Sequence, residues 1–262
     1  MPHTSLSANP TFALEHAPRH EVFQTGLMGA LLDGIYDGDC TVGHLLTRGD
    51  FGVGTFNALD GEMVILDGVC YRLSSDGSVG PTAAHEKTPF AVATDFVAHT
   101  SVTLDEPLTR VQIAEVLDEL TPSDNYLYAF RVRAEFDFVR TRTVAKQVRP
   151  YRRLVEVTKG EPVQIFESSR EGGALTGDVV GFLTPVYQQG IGIAGDHAHF
   201  ISSGRDQGGH VLDYQIRSGV LEVCIGTDLH LELPRTREFE NADLDDDATE
   251  RDAEVSDTEN HS

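Results

Sequence analysis

Lysine is nearly absent from this sequence: Lys87, Lys146 and Lys159 are the only three among 20 basic residues, the other seventeen being arginine. Set against 42 aspartates and glutamates, they leave a formal charge of −22. Such a shortage of positive charge repels a phosphate backbone or an anionic bilayer, which excludes nucleic acid and membrane surfaces as partners of first choice. Carboxylates in place of flexible lysines keep a protein soluble where salt screens charge over only about 3 Å, near 1 M ionic strength. A salt-loving source is therefore expected. Cysteine is scarce as well. Cys40, Cys70 and Cys224 are far apart, odd in number and form no CxxC pair. That excludes a disulfide framework and a cysteine-rich zinc site, and leaves three buried free thiols as the expectation. No run of 18 apolar residues is present, which excludes a membrane-spanning helix. The opening MPHTSLSANPTFALEH lacks the basic start and continuous apolar run of a signal peptide, so a soluble cytoplasmic protein is expected. There is no internal repeat.

What is present is material for a core. The 262 residues are 40% hydrophobic, which suits one large domain or two small ones. Residues 1 to about 20 are polar and read as a loose arm. Phe23, Leu27, Leu31 and Leu32 fall at helical spacing within 23–34, and a second short helix is expected from Thr41, as its cap, to Gly49. Residues 63–66 and 69–73 are strand-like runs separated by Asp67-Gly68, a hairpin signal because a tight type I′ turn needs positive φ. A further apolar, β-rich run covers 90–97. Ile113, Val116, Leu117 and Leu120 predict a helix over 107–120, with its first turn off the stripe. Over 126–144 a half-buried strand is expected. Tyr128, Phe130, Val132, Ala134, Phe136 and Phe138 lie on one face, and Arg131, Arg133, Glu135 and Asp137 lie on the other. Residues 159–177 read as a loop, followed by strands at 179–187, 197–202, 210–216 and 221–225. Many strands and few helices predict a mixed α+β (α/β) fold. From Thr236 onward eleven acids face two arginines, the pattern of a solvated tail.

The chemistry centres on His197-Ala198-His199 and on His210, eleven residues later. Residues i and i+2 of a strand point the same way, so both imidazoles of HAH leave one face. The intervening ISSGRDQGG suits a turn into an antiparallel strand, which sets His210 opposite His199. Three histidines with open positions is the pattern of a catalytic zinc, and other divalent metals fit as well. His44, His85, His99 and His230 are isolated and read as ordinary surface or core residues. Glu62, at the start of a hairpin strand, and Arg142, at the end of a long one, matter only where the fold brings them to the metal. The stretch Asp33–Asp37–Asp39 lacks the distal glutamate of a calcium loop and reads as a turn.

At this point five collinear segments resemble one family: GTFNALDGEMVILDGVCYRL, KTPFAV, TRTVAKQVRPYRRLVEV, GFLTPVYQQGI and GDHAHFIS…GGHVLDYQ. Together they span about Leu31 to Pro234, and they are similar to α-acetolactate decarboxylase. The resemblance implies a zinc enzyme that converts 2-acetolactate to acetoin and carbon dioxide within acetoin and butanediol formation. It implies His197, His199 and His210 as zinc ligands, and Thr55, Glu62 and Arg142 as active-site residues. A further glutamate of the C-terminal segment maps onto Glu254, beside Glu250 and Glu259. The loop around 166–174 looks longer than is usual in that family. The implied architecture is two packed subdomains on mixed or antiparallel sheets, here 21–145 and 146–235, flanked by the arm 1–20 and the tail 236–262, in a homodimer. The implied chemistry is a metal chelated by the substrate's hydroxyl and ketone oxygens, stabilising an enediolate. Arg142 would hold the carboxylate or oxyanion, Thr55 would orient substrate, and Glu62 or the tail glutamate would protonate one face. No organic cofactor is needed, since the substrate's ketone is the electron sink. A cupin-like oxygenase shares HxH and a later histidine, but adds a glutamate that residues 200–207 lack. A non-catalytic protein stabilised by metal would instead close its shell with four protein ligands.

Overall fold

The computed structural model describes residues 19–169 and 173–244, so Glu254 and most of the acidic tail lie outside the described residues. In chain order the first ten strands are β1 (Glu21–Thr25), β2 (Cys40–Thr41), β3 (Phe51–Thr55), β4 (Glu62–Leu66), β5 (Val69–Leu73), β6 (Val79–Pro81), β7 (Lys87–Thr88), β8 (Ala91–Thr94), β9 (Thr100–Leu104) and β10 (Leu108–Thr109). The remaining six are β11 (Leu127–Arg142), β12 (Val163–Glu167), β13 (Leu175–Thr184), β14 (Gly195–Ser202), β15 (Gly208–Gly226) and β16 (Asp228–Glu232). Five short helices join them: α1 (Met28–Leu32), α2 (Val42–Leu45), α3 (Arg110–Leu120), α4 (Leu154–Thr158) and α5 (Arg237–Glu240). The fold is mixed α+β, and among the described residues no helix is long and apolar enough to cross a membrane.

The first sheet has the order β16-β1-β8-β3-β4-β5-β6, parallel only at β1–β16. Its tightest signal is the β4–β5 hairpin, where Asp67 (φ 52°) and Gly68 (φ 77°) both adopt the left-handed conformation of a type I′ turn. Phe23 departs from the helical reading. It lies on β1, between β8 and β16, because pairing on both edges outweighs a local spacing that also fits a helix. The helix proper starts at Met28. Thr41 caps α2 as expected, its Oγ1 accepting from the His44 N–H at 3.2 Å, but the helix is a single turn.

In the second sheet β11 pairs with β13 and β15, β13 with β14, and β14 with β15, so four strands close into a ring. β12 lengthens β11 on one edge, which replaces the expected loop by a strand at 163–167. Residues 210–216 and 221–225 belong to one long strand, β15, kept continuous through Ser218-Gly219 by its pairing with β11 and β9, with a bulge at Arg217. The inner face of the ring carries Tyr128, Phe130, Val132, Ala134 and Phe136 of β11 with Leu221, Val223 and Ile225 of β15. Onto it α3 packs Ile113 and Leu117, and Thr109 and Gln112 form a capping box at the helix start. The opposite face, with Ala129, Val180, Phe182 and Ile201, packs against Val53, Val64 and Leu66 of the first sheet.

Phe138 does not continue the stripe. The β11–β15 register shifts at Asp137, so Val139 rather than Phe138 joins the inner core. An extra residue in one strand reverses which side chains face which way beyond it. On β15 the register shifts at Arg217 and again at Leu212, so that after Ile216 and Tyr214 it is Val211 rather than His210 that joins the inner core. The bulges at Asp137 and Leu212 bear on the site.

Candidate metal centre

Alternation along β14 explains the first two histidines. Ala198 and Phe200 belong to the inner core and Ile201 to the core between the sheets. His197 and His199 share Ile201's parity, so they face the first sheet. On β15, Val211 turns inward and His210 faces the same way as the other two. On β11 the bulge at Asp137 does the same for Arg142, which would otherwise share the parity of Phe136. The result is a transverse row: His199 pairs with His210, and His210 with Arg142.

The three imidazoles each offer a nitrogen, and those nitrogens lie within 4.8 Å of one another. His197 Nε2 and His210 Nδ1 are 3.2 Å apart. His199 Nδ1 donates to the Met63 carbonyl at 2.8 Å, which fixes the tautomer and leaves the Nε2 lone pair free to bind a metal. That Nε2 is buried with no hydrogen-bond partner, 3.5 Å from Glu62 Oε2. Burial dominates the acid–base behaviour. It pushes His197 down to about 4, a fall that Asp196 opposes and Arg142 and Arg110 reinforce. It pushes His199 to about 3 with help from His197, and His210 well below its ordinary value with help from both other histidines. All three are neutral at neutral pH, the state in which an imidazole binds metal.

The first sheet supplies the opposite wall. Thr55 and Glu62 face each other across the β3–β4 ladder, and Thr55 Oγ1 donates to the Gly61 carbonyl at 2.9 Å. One cavity is lined by Thr55, Glu62, Arg142, His197 and His210, all strand residues, together with apolar side chains from helices and connections. The apolar set includes Met28 and Leu31 of α1, Leu154 of α4 and Ile193. Nothing in the sequence marks these, since an apolar residue of a short helix reads the same at a cavity as in a core. The cavity is small, about 60 Å³. Two hollows of about 480 and 500 Å³ lie elsewhere without the imidazole cluster, so convergent chemistry rather than size marks the site.

Other sequence readings resolve simply. Asp33, Asp37 and Asp39 contact Arg153, Arg149 and Arg235, an ion-paired turn and not a calcium loop. The three cysteines are free and buried. His44 contacts Glu232 at 3.2 Å, and His99 Nδ1 accepts from the Ile225 N–H at 3.1 Å, both away from the triad.

A family model described as alpha-acetolactate decarboxylase matches residues 22–246. The chain is 44% identical over 241 residues to the alpha-acetolactate decarboxylase of Methylococcus capsulatus, covering 92% of this chain and 89% of that one. It is 45% identical over 233 residues to the Klebsiella aerogenes enzyme, covering 89% and 87%. The crystal structure of alpha-acetolactate decarboxylase from Bacillus subtilis strain 168 superposes with a TM-score of 0.87 at 38% identity, over 92% of this chain and 100% of that one. This chain belongs to the alpha-acetolactate decarboxylase family, and it is an acetolactate decarboxylase.

Proposed function

We propose that the decarboxylation of 2-acetolactate to acetoin takes place in the cavity between the two sheets, with His197, His199 and His210 holding a divalent metal, zinc by family resemblance. The observation that carries this reading is the convergence of three neutral imidazoles beside Glu62 and Arg142. The buried, unpartnered Nε2 of His199 fits a metal, which would satisfy it. When bound, the metal would supply Lewis-acid polarisation of the substrate's hydroxyl and ketone oxygens.

The chain's own groups do the rest. The Arg142 guanidinium, buried in the same row as His210, binds the substrate carboxylate and orients the bond to be broken. That C–C bond breaks, carbon dioxide leaves, and the electron pair moves toward the ketone oxygen. Glu62, which takes up one proton from solvent per turnover, then delivers it to the carbon that lost the carboxylate, from its own side only, which makes the acetoin chiral. Thr55, whose hydroxyl hydrogen is engaged by Gly61, offers an oxygen lone pair to the substrate hydroxyl. Met28, Leu31, Leu154 and Ile193 take the two methyl groups and exclude water. Glu254 is included in this proposal as a second carboxylate on the resemblance alone. The same reading places the enzyme in acetoin and butanediol formation, as a cytoplasmic homodimer from a salt-rich source.

Two variants test the assignment. His199→Ala loses bound metal and acetoin formation together. Glu62→Gln keeps its metal and slows turnover by about 10²–10⁴-fold, the usual worth of a positioned general acid. Full activity in His199→Ala would overturn the site, and loss of metal in Glu62→Gln would make Glu62 a ligand.

A further inference from the structure

β14 and β15 are hydrogen-bonded over a short stretch only, from Ile201–Gly208 to His199–His210. Beyond that point β14 continues back to His197 and Asp196, while β15 bulges at Leu212, so no ladder bond ties the backbone at His197 to the chain that follows His210. The Arg110 side chain spans the gap. Arg110 Nη2 donates to Asp196 Oδ2 at 2.7 Å, and Nη1 donates to the Leu212 carbonyl at 3.4 Å. Asp196 is the residue before His197, and Leu212 lies two residues beyond His210. Arg110 is itself held in place, as the first residue of α3 directly after β10, whose Leu108 and Thr109 pair with Ile216 and Gln215 of β15.

We infer that Arg110 is a positioning residue: its forked guanidinium replaces the missing ladder between β14 and β15 and sets the separation of His197 and His210. This rests on the reading of His197, His199 and His210 as metal ligands. Two features of the geometry make the role specific. The ion pair is half-exposed, with Arg110 30% and Asp196 37% accessible, so its worth to folding is small. The second arm reaches a backbone carbonyl, which only a two-headed donor can hold while also gripping the carboxylate.

A brace and a bare charge predict opposite outcomes. Arg110→Ala removes a cation and leaves Asp196 unpaired beside His197, so charge alone would tighten the binding of a dication. A lost brace weakens it, by about tenfold or more, the usual cost of losing an outer-shell support of a metal ligand. Arg110→Lys keeps the charge with one nitrogen head, so the brace predicts weaker binding there also, whereas charge alone predicts no change. The experiment measures zinc affinity by chelator competition on metal-free full-length wild type, Arg110→Ala and Arg110→Lys, with urea midpoints for each and His199→Ala as control. The expected result is a zinc affinity about tenfold or more weaker in Arg110→Ala, an intermediate loss in Arg110→Lys, and nearly unchanged urea midpoints. Equal or tighter zinc binding in either variant overturns the inference. Wild type that binds zinc no better than His199→Ala would instead overturn the ligand assignment on which it rests. Should Arg110→Ala fail to fold, Arg110→Lys decides alone.

Discussion

Asp178 of β13 is the most consequential carboxylate outside the site, and removing it gives a sharp test of how the two sheets are joined. It is 4% exposed, and three arginines surround it. Arg131 Nε donates to it at 2.8 Å, Arg205 Nη1 lies at 3.3 Å and Arg133 Nε at 3.6 Å. Arg131 also reaches Asp67 at the tip of the β4–β5 hairpin, 3.0 Å away, so the cluster links the second sheet to the first. Arg205 sits in the β14–β15 turn, which puts the same cluster at the root of the histidine-bearing strands. The buried charge-assisted bond from Arg131 is worth roughly 1.5–3 kcal/mol. The two more exposed arginines add roughly 0.2–1 kcal/mol each. In Asp178→Ala, Arg131 is left buried with only the exposed Asp67 as counter-charge, and stranding a charge costs about 3–5 kcal/mol. Asp67 softens that penalty, so the expected loss is about 3 kcal/mol, equivalent to about 6–12 °C in Tm for a chain of this size. Urea unfolding followed by fluorescence or circular dichroism measures it. The loss persists at 1 M KCl, because a largely buried pair is screened much less than a surface pair. A destabilisation below about 1 kcal/mol, or one abolished by salt, would refute this account of the cluster.

The remaining predictions concern acid and salt. The triad's imidazoles are held at about 4 for His197 and about 3 for His199, against an ordinary value of 6.5. Between those limits the unfolded chain binds more protons than the folded one, so the stability of metal-free protein rises with pH across the window and is lost on acidification from 6.5 toward 4. Urea midpoints at pH 7 and pH 5 measure this, and equal midpoints would contradict it. The charge of −22 makes the folded state self-repelling at low ionic strength. Tm is therefore expected to rise steadily from 0.05 to 2 M KCl, and a flat salt profile would remove the case for a salt-rich source.

The parts of the fold legible in the sequence were those fixed locally. Asp67-Gly68 specifies its own turn, the apolar stripe from Ile113 to Leu120 specifies α3, and HAH with a glycine-rich loop and His210 contains its own pairing. Residues whose state depends on distant partners were misread. Phe23 becomes a strand residue because β16, two hundred residues later, arrives beside it. Residues 163–167 become β12 because β11 offers an open edge, and Leu127–Arg142 pairs with strands drawn from 163–226. The bulges at Asp137 and Leu212 carry no composition signal, yet they decide that Arg142 and His210 face the cavity and Phe138 leaves the core. The clustering of the three histidines could be read from spacing. The apolar wall and Arg110 could not, because their roles arise only when the strands and helices are packed together.

The central claim is that the strand-borne triad holds the metal that the reaction needs. The most direct measurement strips the purified enzyme with a strong chelator in high salt, then titrates zinc back while following both bound metal and acetoin released from acetolactate. The account predicts acetoin formation at the uncatalysed rate in the stripped protein, and recovery in proportion to zinc up to a single ion per chain. Stripped protein that keeps its full rate, or zinc that binds without restoring it, would contradict the account.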